Sequence, residues 1–236
     1  KFIVADFSAI EARVIAWLAD EQWVLDAFAN NKDLYCETAS RMFGVPVEKH
    51  GINGELRQKG KQCTLSCSYG GAKGALIAMG AIDSGMKEDE LQPLVIAWRE
   101  ANPNIVRFWH SLEQCAMKCI KEKTVTKTNR LTFSYEAGFL FIELPSGRRL
   151  AYAKPRIGEN KFGGESITYM GINAQKKWDR LETFGGKIAE NVCQAVARDL
   201  LMYSMQTLSH CFIVATVHDE IIIEASKDMS LDVVCQ

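Results

Sequence analysis

Phe212-Ile-Val-Ala-Thr-Val217 and Ile221-Ile-Ile-Glu224 are two apolar, largely β-branched runs, and only His218-Asp219-Glu220 stands between them. The pattern reads as a hairpin of two buried strands, although no Gly or Asn-Gly occupies its turn. Acidic side chains placed there lose solvation beside an apolar sheet unless a cation compensates. A plain acidic hairpin is the alternative. The chain opens on another strand-like run, Phe2-Ile-Val-Ala5, which ends at Asp6. A carboxylate at a strand end, beside a helix start, is held rigidly and can reach a metal ion; it is also an ordinary turn residue. The two ends of the sequence are β-rich and the middle is helical. Sheet, inserted helical block and sheet again make an α+β protein.

The helical stretches carry their own punctuation. Ser8-x-x-Glu11 has the form of a capping box, and Ile10, Val14, Ile15, Trp17 and Leu18 follow at helical spacing. A second helix spans Leu34–Phe43 and is closed by Gly44 and Pro46. Two more fall within 55–79, then one at 87–101 and one at 104–121, divided by Pro103. From Thr124 the period changes. Phe139–Leu144, a Pro145-Ser-Gly turn and Arg149–Ala153 read as a hairpin, and a Gly-rich loop spans 158–164. A long helix over about 186–208 precedes the final hairpin. There is no internal repeat and no low-complexity tract.

Composition bounds the class. The chain has 236 residues, 47% hydrophobic and 24% charged, with 28 Lys+Arg against 29 Asp+Glu. That is enough to bury one large or two modest cores, and it excludes collagen, a disordered tail and a disulfide scaffold. No apolar run approaches the roughly 18 residues of a spanning helix, and no signal peptide opens the chain. With no initiator Met, the sequence is expected to be a piece of a longer protein. Basic residues concentrate at 118–130 and at 148–161, where they can follow a phosphate backbone or simply be solvated. The eight cysteines, up to Cys235, show no CxxC knuckle and read as reduced thiols of an intracellular protein.

Arg57, Lys61, Leu65 and Tyr69 recur at four-residue steps, followed by Gly70. On a helix such positions form one slowly drifting stripe. Like charges at i,i+4 cost a few tenths of a kcal/mol, and Gly60 costs about 1 kcal/mol more. A helix that accepts those costs and then turns apolar suits a ligand with phosphates at one end and a flat base at the other. The bland reading is an amphipathic helix with a solvated basic edge.

Taken together, these residues resemble family A, polymerase-I-like DNA polymerases, especially the phage branch. Asp6-Phe-Ser-Ala-Ile-Glu11-Ala-Arg13 resembles the first catalytic motif. Arg57-x3-Lys61-x3-Leu65-x3-Tyr69-Gly70 resembles the fingers-helix motif, and His218-Asp219-Glu220 the second catalytic motif. Weaker matches are Asp33-Leu-Tyr35, Phe43-Gly-Val-Pro46, Gly147-Arg148-Arg149 and Gln194-x4-Asp199.

The resemblance implies an antiparallel palm sheet flanked by helices, with palm at 1–25 and 124–236, all-helical fingers at 26–123, and no thumb. It implies that Asp6, Asp219 and the Phe7 carbonyl hold two Mg²⁺, for which Mn²⁺ can substitute, with Glu220 nearby. Arg57 and Lys61 would grip a deoxynucleoside triphosphate, and Lys61 would protonate the leaving group. Tyr69 would meet the template–nascent pair, Glu11 would crowd the sugar 2′ position, and Tyr35 would stand where the family often has a triphosphate-touching His. His218, Arg13, Asn191, Gln194 and Arg148 would contact primer–template DNA. Partners beyond DNA and nucleotides would be other replication proteins, in the cytoplasm of a bacterium or a phage-infected cell. Leu65 departs from the family's aromatic residue and Ala9 from a common Gln. Without a thumb, the chain alone is expected to bind DNA weakly and polymerise poorly. Two alternatives stay open on the carboxylates alone: a two-metal nuclease, or a non-catalytic nucleic-acid-binding fragment.

Overall fold

The computed structural model describes residues 1–160, 163–228 and 230. Lys161 of the second basic cluster and Cys235 lie outside the described residues. The first strand, β1 (Phe2–Asp6), buries Ile3 and leaves Phe2, Val4 and Asp6 exposed, as a half-buried strand of period two requires. Helix α1 (Ile10–Ala19) follows and buries Ile10, Val14, Ile15 and Leu18 at the spacing read from the sequence, but leaves Trp17 of the same set exposed. The expected capping box does not form. Ala9 occupies the N-cap in the left-handed region (φ 54°) and makes no side-chain cap. The Ser8 carbonyl instead accepts from Arg13 Nε at 2.8 Å, and Glu11 is drawn to a residue far along the chain. A short helix absent from the sequence reading, α2 (Gln22–Ala29), turns Val24 and Ala27 inward.

Helix α3 (Leu34–Phe43) starts where Asp33 accepts from the Tyr35 and Cys36 amides at 3.0 and 3.1 Å, and ends at left-handed Gly44. Next come α4 (Leu56–Cys67), α5 (Lys73–Ala78), α6 (Glu88–Ala101) and α7 (Pro103–Glu122). Gly60 explains why a poor helix former sits inside α4. A Cβ there would lie 2.4 Å from the Tyr35 carbonyl, so the glycine lets α4 press against α3. Pro103 takes the first position of α7, where its missing N–H costs nothing. Buried Glu21 accepts from the Asn104 and Ile105 amides at 2.8 and 3.2 Å and so caps α7 from a distance. Burial pushes that carboxyl up, against the pull of those two amides.

The β structure is two antiparallel sheets rather than one. Strands β2 (Thr126–Thr128), β3 (Leu131–Glu136), β4 (Phe139–Glu143), β5 (Arg149–Glu159), β6 (Glu165–Ile172) and β7 (Trp178–Thr183) form a six-stranded meander in chain order. The expected strand at 149–153 runs on past Pro155, because the register shifts between Ala153 and Arg156 and the proline sits in that irregularity. The expected Gly-rich loop shrinks accordingly, since Gly158 belongs to β5. Helix α8 (Gly185–Thr207) leads to β8 (Phe212–Val217) and β9 (Glu220–Glu224), and the second sheet has the order β1-β9-β8. It pairs the first and last described strands.

One core joins α1, α4, α6, α7 and α8 to the meander, with Trp98 and Trp109 stacked at 6.1 Å. A smaller cluster sets Leu201 of α8 against Ile3, Ile221 and Ile223 of the three-stranded sheet. The described cysteines are all free. No helix among the described residues is long and apolar enough to cross a membrane.

Candidate active site

The three acidic positions meet at one end of the small sheet. Asp6 lies opposite Glu220 in the β1–β9 register, and the Phe7 amide donates to the Asp219 carbonyl at 3.5 Å. Val217 pairs with Glu220, so His218 and Asp219 alone form the β8–β9 turn. His218 has φ 54°, a left-handed value that a two-residue hairpin normally assigns to glycine or asparagine. The sequence thus holds an imidazole at a position that costs it backbone strain, as functional turns do. Asp6 is exposed, Asp219 and Glu220 are half-buried, and none of the three has an ion-pair partner among the described residues. Among those residues no three His, Cys, Asp or Glu side chains converge as a complete metal-ligand set. Uncompensated carboxylates flanking the Phe7 backbone suit a hard divalent cation that takes oxygen ligands and keeps several waters.

Beside this turn opens a cavity of about 600 Å³. Helix α1 contributes Glu11, α3 Tyr35, and α4 Thr64 and Leu65. The opposite wall is Gln194 and Arg198 of α8 with His218 and Asp219. Five residues singled out by their sequence motifs, Glu11, Tyr35, Leu65, Gln194 and His218, therefore share one space with Asp219. Leu65, 47% exposed, offers its aliphatic face where a solvated helix edge would be polar.

Arg57 and Lys61 stand behind Tyr35, their charged ends 5.3 and 6.0 Å from its ring centroid. Arg57 also binds Asp33 through Nε at 2.9 Å and its terminal nitrogen at 2.8 Å. Burial raises the Asp33 carboxyl, but Arg57 and the Cys36 and Tyr35 amides outweigh it and hold the group below its usual range. A carboxyl lowered in the folded state stabilises the protein above its unfolded pKa, and that contribution is lost as pH falls through the folded value. Asp33→Asn keeps the helix cap and removes the ion pair. It is expected to cost about 1 kcal/mol at pH 7, and melting curves of the two proteins should converge on acidification toward pH 3. A gap that widens in acid would contradict this.

Tyr69 lies beyond the end of α4, so the four-residue stripe is helical only through Leu65. Its hydroxyl donates to Glu11 Oε2 at 3.3 Å. Burial first, then Cys193 and Glu11, push the phenol well above its usual value, which keeps it a donor. The remaining expected residues do not line this cavity. Asn191 donates to the Tyr152 hydroxyl at 2.9 Å, and burial pushes that phenol up to about 12. Arg148 binds Asp199 and the Ala195 carbonyl, each at 2.6 Å. Arg13 stacks 4.0 Å over Phe28.

Sequence reasoning missed Thr64 and Arg198 in the cavity wall. Arg198 follows Gln194 by one helical turn, and that spacing is the signal that could have found it.

The sequence model of DNA polymerase family A matches residues 1–234. A DNA polymerase of Bacillus phage SP02 is 49% identical over 96% of this chain, and the match covers 36% of that protein. The thermostable DNA polymerase I of Thermus aquaticus is 26% identical over 96% of this chain and 23% of its own length. The chain thus spans little more than a third, or less, of the curated relatives it matches. A solved structure, the POL domain of Pol1 from M. smegmatis in complex with DNA primer-template and dNTP, superposes with a TM-score of 0.60. It is 20% identical over 96% of this chain and 34% of its own, a likeness of fold. With the family's sequence model matching nearly end to end and the acidic turn, the basic helix and the α1 start gathered about one cavity, the chain belongs to DNA polymerase family A.

Proposed function

We propose that this chain is the catalytic portion of a template-directed DNA polymerase, adding deoxynucleotides to a primer 3′-hydroxyl and releasing pyrophosphate. The observation that carries the reading is the β1–β9 register, which brings Asp6 and Glu220 opposite one another beside Asp219 and the cavity of Glu11, Tyr35 and Leu65. On this reading the palm is 1–25 with 124–236, and the fingers are 26–123.

Asp6, Asp219 and the Phe7 carbonyl would hold two Mg²⁺, with Mn²⁺ as a substitute. Such a pair, when bound, supplies charge neutralisation at the attacking hydroxyl and at the leaving pyrophosphate. The protein's own groups do the rest. Lys61 and Arg57 attract the triphosphate, and Lys61 Nζ is a proton donor for the departing oxygen. Leu65 packs the nucleotide, and Tyr69 fixes Glu11 so that its carboxylate limits space beside the sugar. His218 and Gln194 face the primer end. Leu65 provides area without a ring face, so stacking on the incoming base is weaker than an aromatic residue would give.

The test is product identity, with the chain in excess over a labelled primer–template, one deoxynucleoside triphosphate and Mg²⁺. Extension by one nucleotide with one pyrophosphate released per addition is expected. Primer shortening with release of nucleoside monophosphate would instead identify a nuclease. DNA binding with neither product, changed by Asp219→Asn but not by chelation, would leave only a binding module.

A further inference from the structure

Arg198 has no assigned role, yet among the described residues it is the one arginine or lysine in the wall of the cavity beside Asp219. It is exposed and, among the described residues, has no ion-pair partner. The acid next to it, Asp199, is taken by Arg148 on another side of α8. Its place is fixed. Ala195 and Val196 are buried in the main core, and Leu201 seats α8 on Ile221 and Ile223 of the small sheet. Gln194, Ala197 and Arg198 consequently present one helix face to the His218–Asp219 turn.

A strand of nucleic acid entering here approaches three acidic side chains, Asp6, Asp219 and Glu220, whose field repels phosphate. A guanidinium on the facing helix offsets that repulsion and offers a planar fork matched to phosphate oxygens. The triphosphate has its own candidates, Arg57 and Lys61, on the α3–α4 side near Tyr35. Arg198 lies on the α8 side, with Gln194 and His218.

We propose that Arg198 binds a backbone phosphate of the polynucleotide strand whose 3′ end lies at Asp219. The inference rests on the polymerase reading above and adds a residue and a ligand group to it.

The experiment measures primer–template affinity of the chain by fluorescence anisotropy across a salt series, for wild type, Arg198→Gln and Arg198→Lys. Nucleotide affinity is measured in parallel, and melting curves check folding. Loss of one phosphate contact should lower the slope of log affinity against log salt by about 1, with similar weakening on unrelated sequences. Arg198→Lys should restore the slope and only part of the affinity, because a point charge lacks the fork. An unchanged slope in a folded Arg198→Gln protein that still binds DNA would overturn the inference while leaving the polymerase reading intact. Weakening confined to the nucleotide would overturn it too, assigning Arg198 to the triphosphate. Primer shortening with release of nucleoside monophosphate by the wild-type chain, in place of extension, would instead sink the polymerase reading itself.

Discussion

Asp219→Asn is expected to lower single-nucleotide incorporation by about 10³-fold or more while leaving the melting temperature within a few degrees of wild type. The magnitude follows from removing one preorganised charge from a site where charge develops in the transition state. The structural side rests on how Asp219 is held. Its backbone carbonyl accepts from the Phe7 amide, and its side chain makes no hydrogen bond or ion pair among the described residues. Asparagine preserves the shape and the turn, and removes only the charge. Single-turnover rates with Mg²⁺ and with Mn²⁺, beside a thermal melt, provide the check. A variant that keeps more than about a tenth of the rate would remove Asp219 from the chemistry. A variant that unfolds would show that the acid serves the turn instead.

The second large effect concerns packing. A Cβ on Gly186 would lie 2.2 Å from the Tyr69 carbonyl oxygen and 2.9 Å from the Phe184 ring. Both contacts are too short for any real Cβ, and the first is with backbone that cannot swing aside. Gly186→Ala must therefore move α8 or the Tyr69 segment, at a cost of about 3 kcal/mol. In a domain of this size that is a fall of roughly 6–12 °C in melting temperature. Because the displaced segment carries the Tyr69 hydroxyl, the hydrogen bond to Glu11 should be lost as well. Gly74 is the control: it sits within α5, and a Cβ there meets nothing within 4 Å. Gly74→Ala is expected to be neutral or to stabilise by up to about 1 kcal/mol. Equal melting temperatures for the two variants would refute the close-packing account.

These cases show what a one-dimensional reading captures and what it misses. Helix α3 was legible because its apolar spacing is closed locally by Gly44 and Pro46, and α7 because Pro103 divides it from the helical pattern before it. The start of α1 was misread for the same reason. Ser8-x-x-Glu11 is locally sufficient for a capping box, but Tyr69, a distant residue, draws the glutamate away. The meander was seen in part: Phe139–Leu144 is an almost continuous apolar run closed by a Pro145-Ser-Gly turn, whereas β6 and β7 mix Ser, Thr, Tyr, Glu and Arg and depend on pairing rather than pattern. The strand expected at 149–153 in fact runs on past Pro155, which cannot donate to a ladder, because a register shift absorbs it. In the site, the carboxylates and the Arg57–Tyr69 spacing were legible as chemistry. That Arg57 would be bound to Asp33, and that Asn191 and Arg148 would be engaged elsewhere, depends on how α3, α4 and α8 dock.

The pairing of β1 with β9 has a kinetic consequence. Asp6 and Asp219 become neighbours only by closing almost the whole chain into a loop, which costs about 5 kcal/mol of entropy before any contact at the junction repays it. The helices and the meander are built from near-neighbour contacts and can assemble quickly, whereas the acidic centre is of high contact order and is expected to form among the last events of folding. A partly folded molecule would then hold its helices and most of its meander, yet have no acidic centre. On the polymerase reading proposed above, metal affinity would report completion of the native state more strictly than helical signal does.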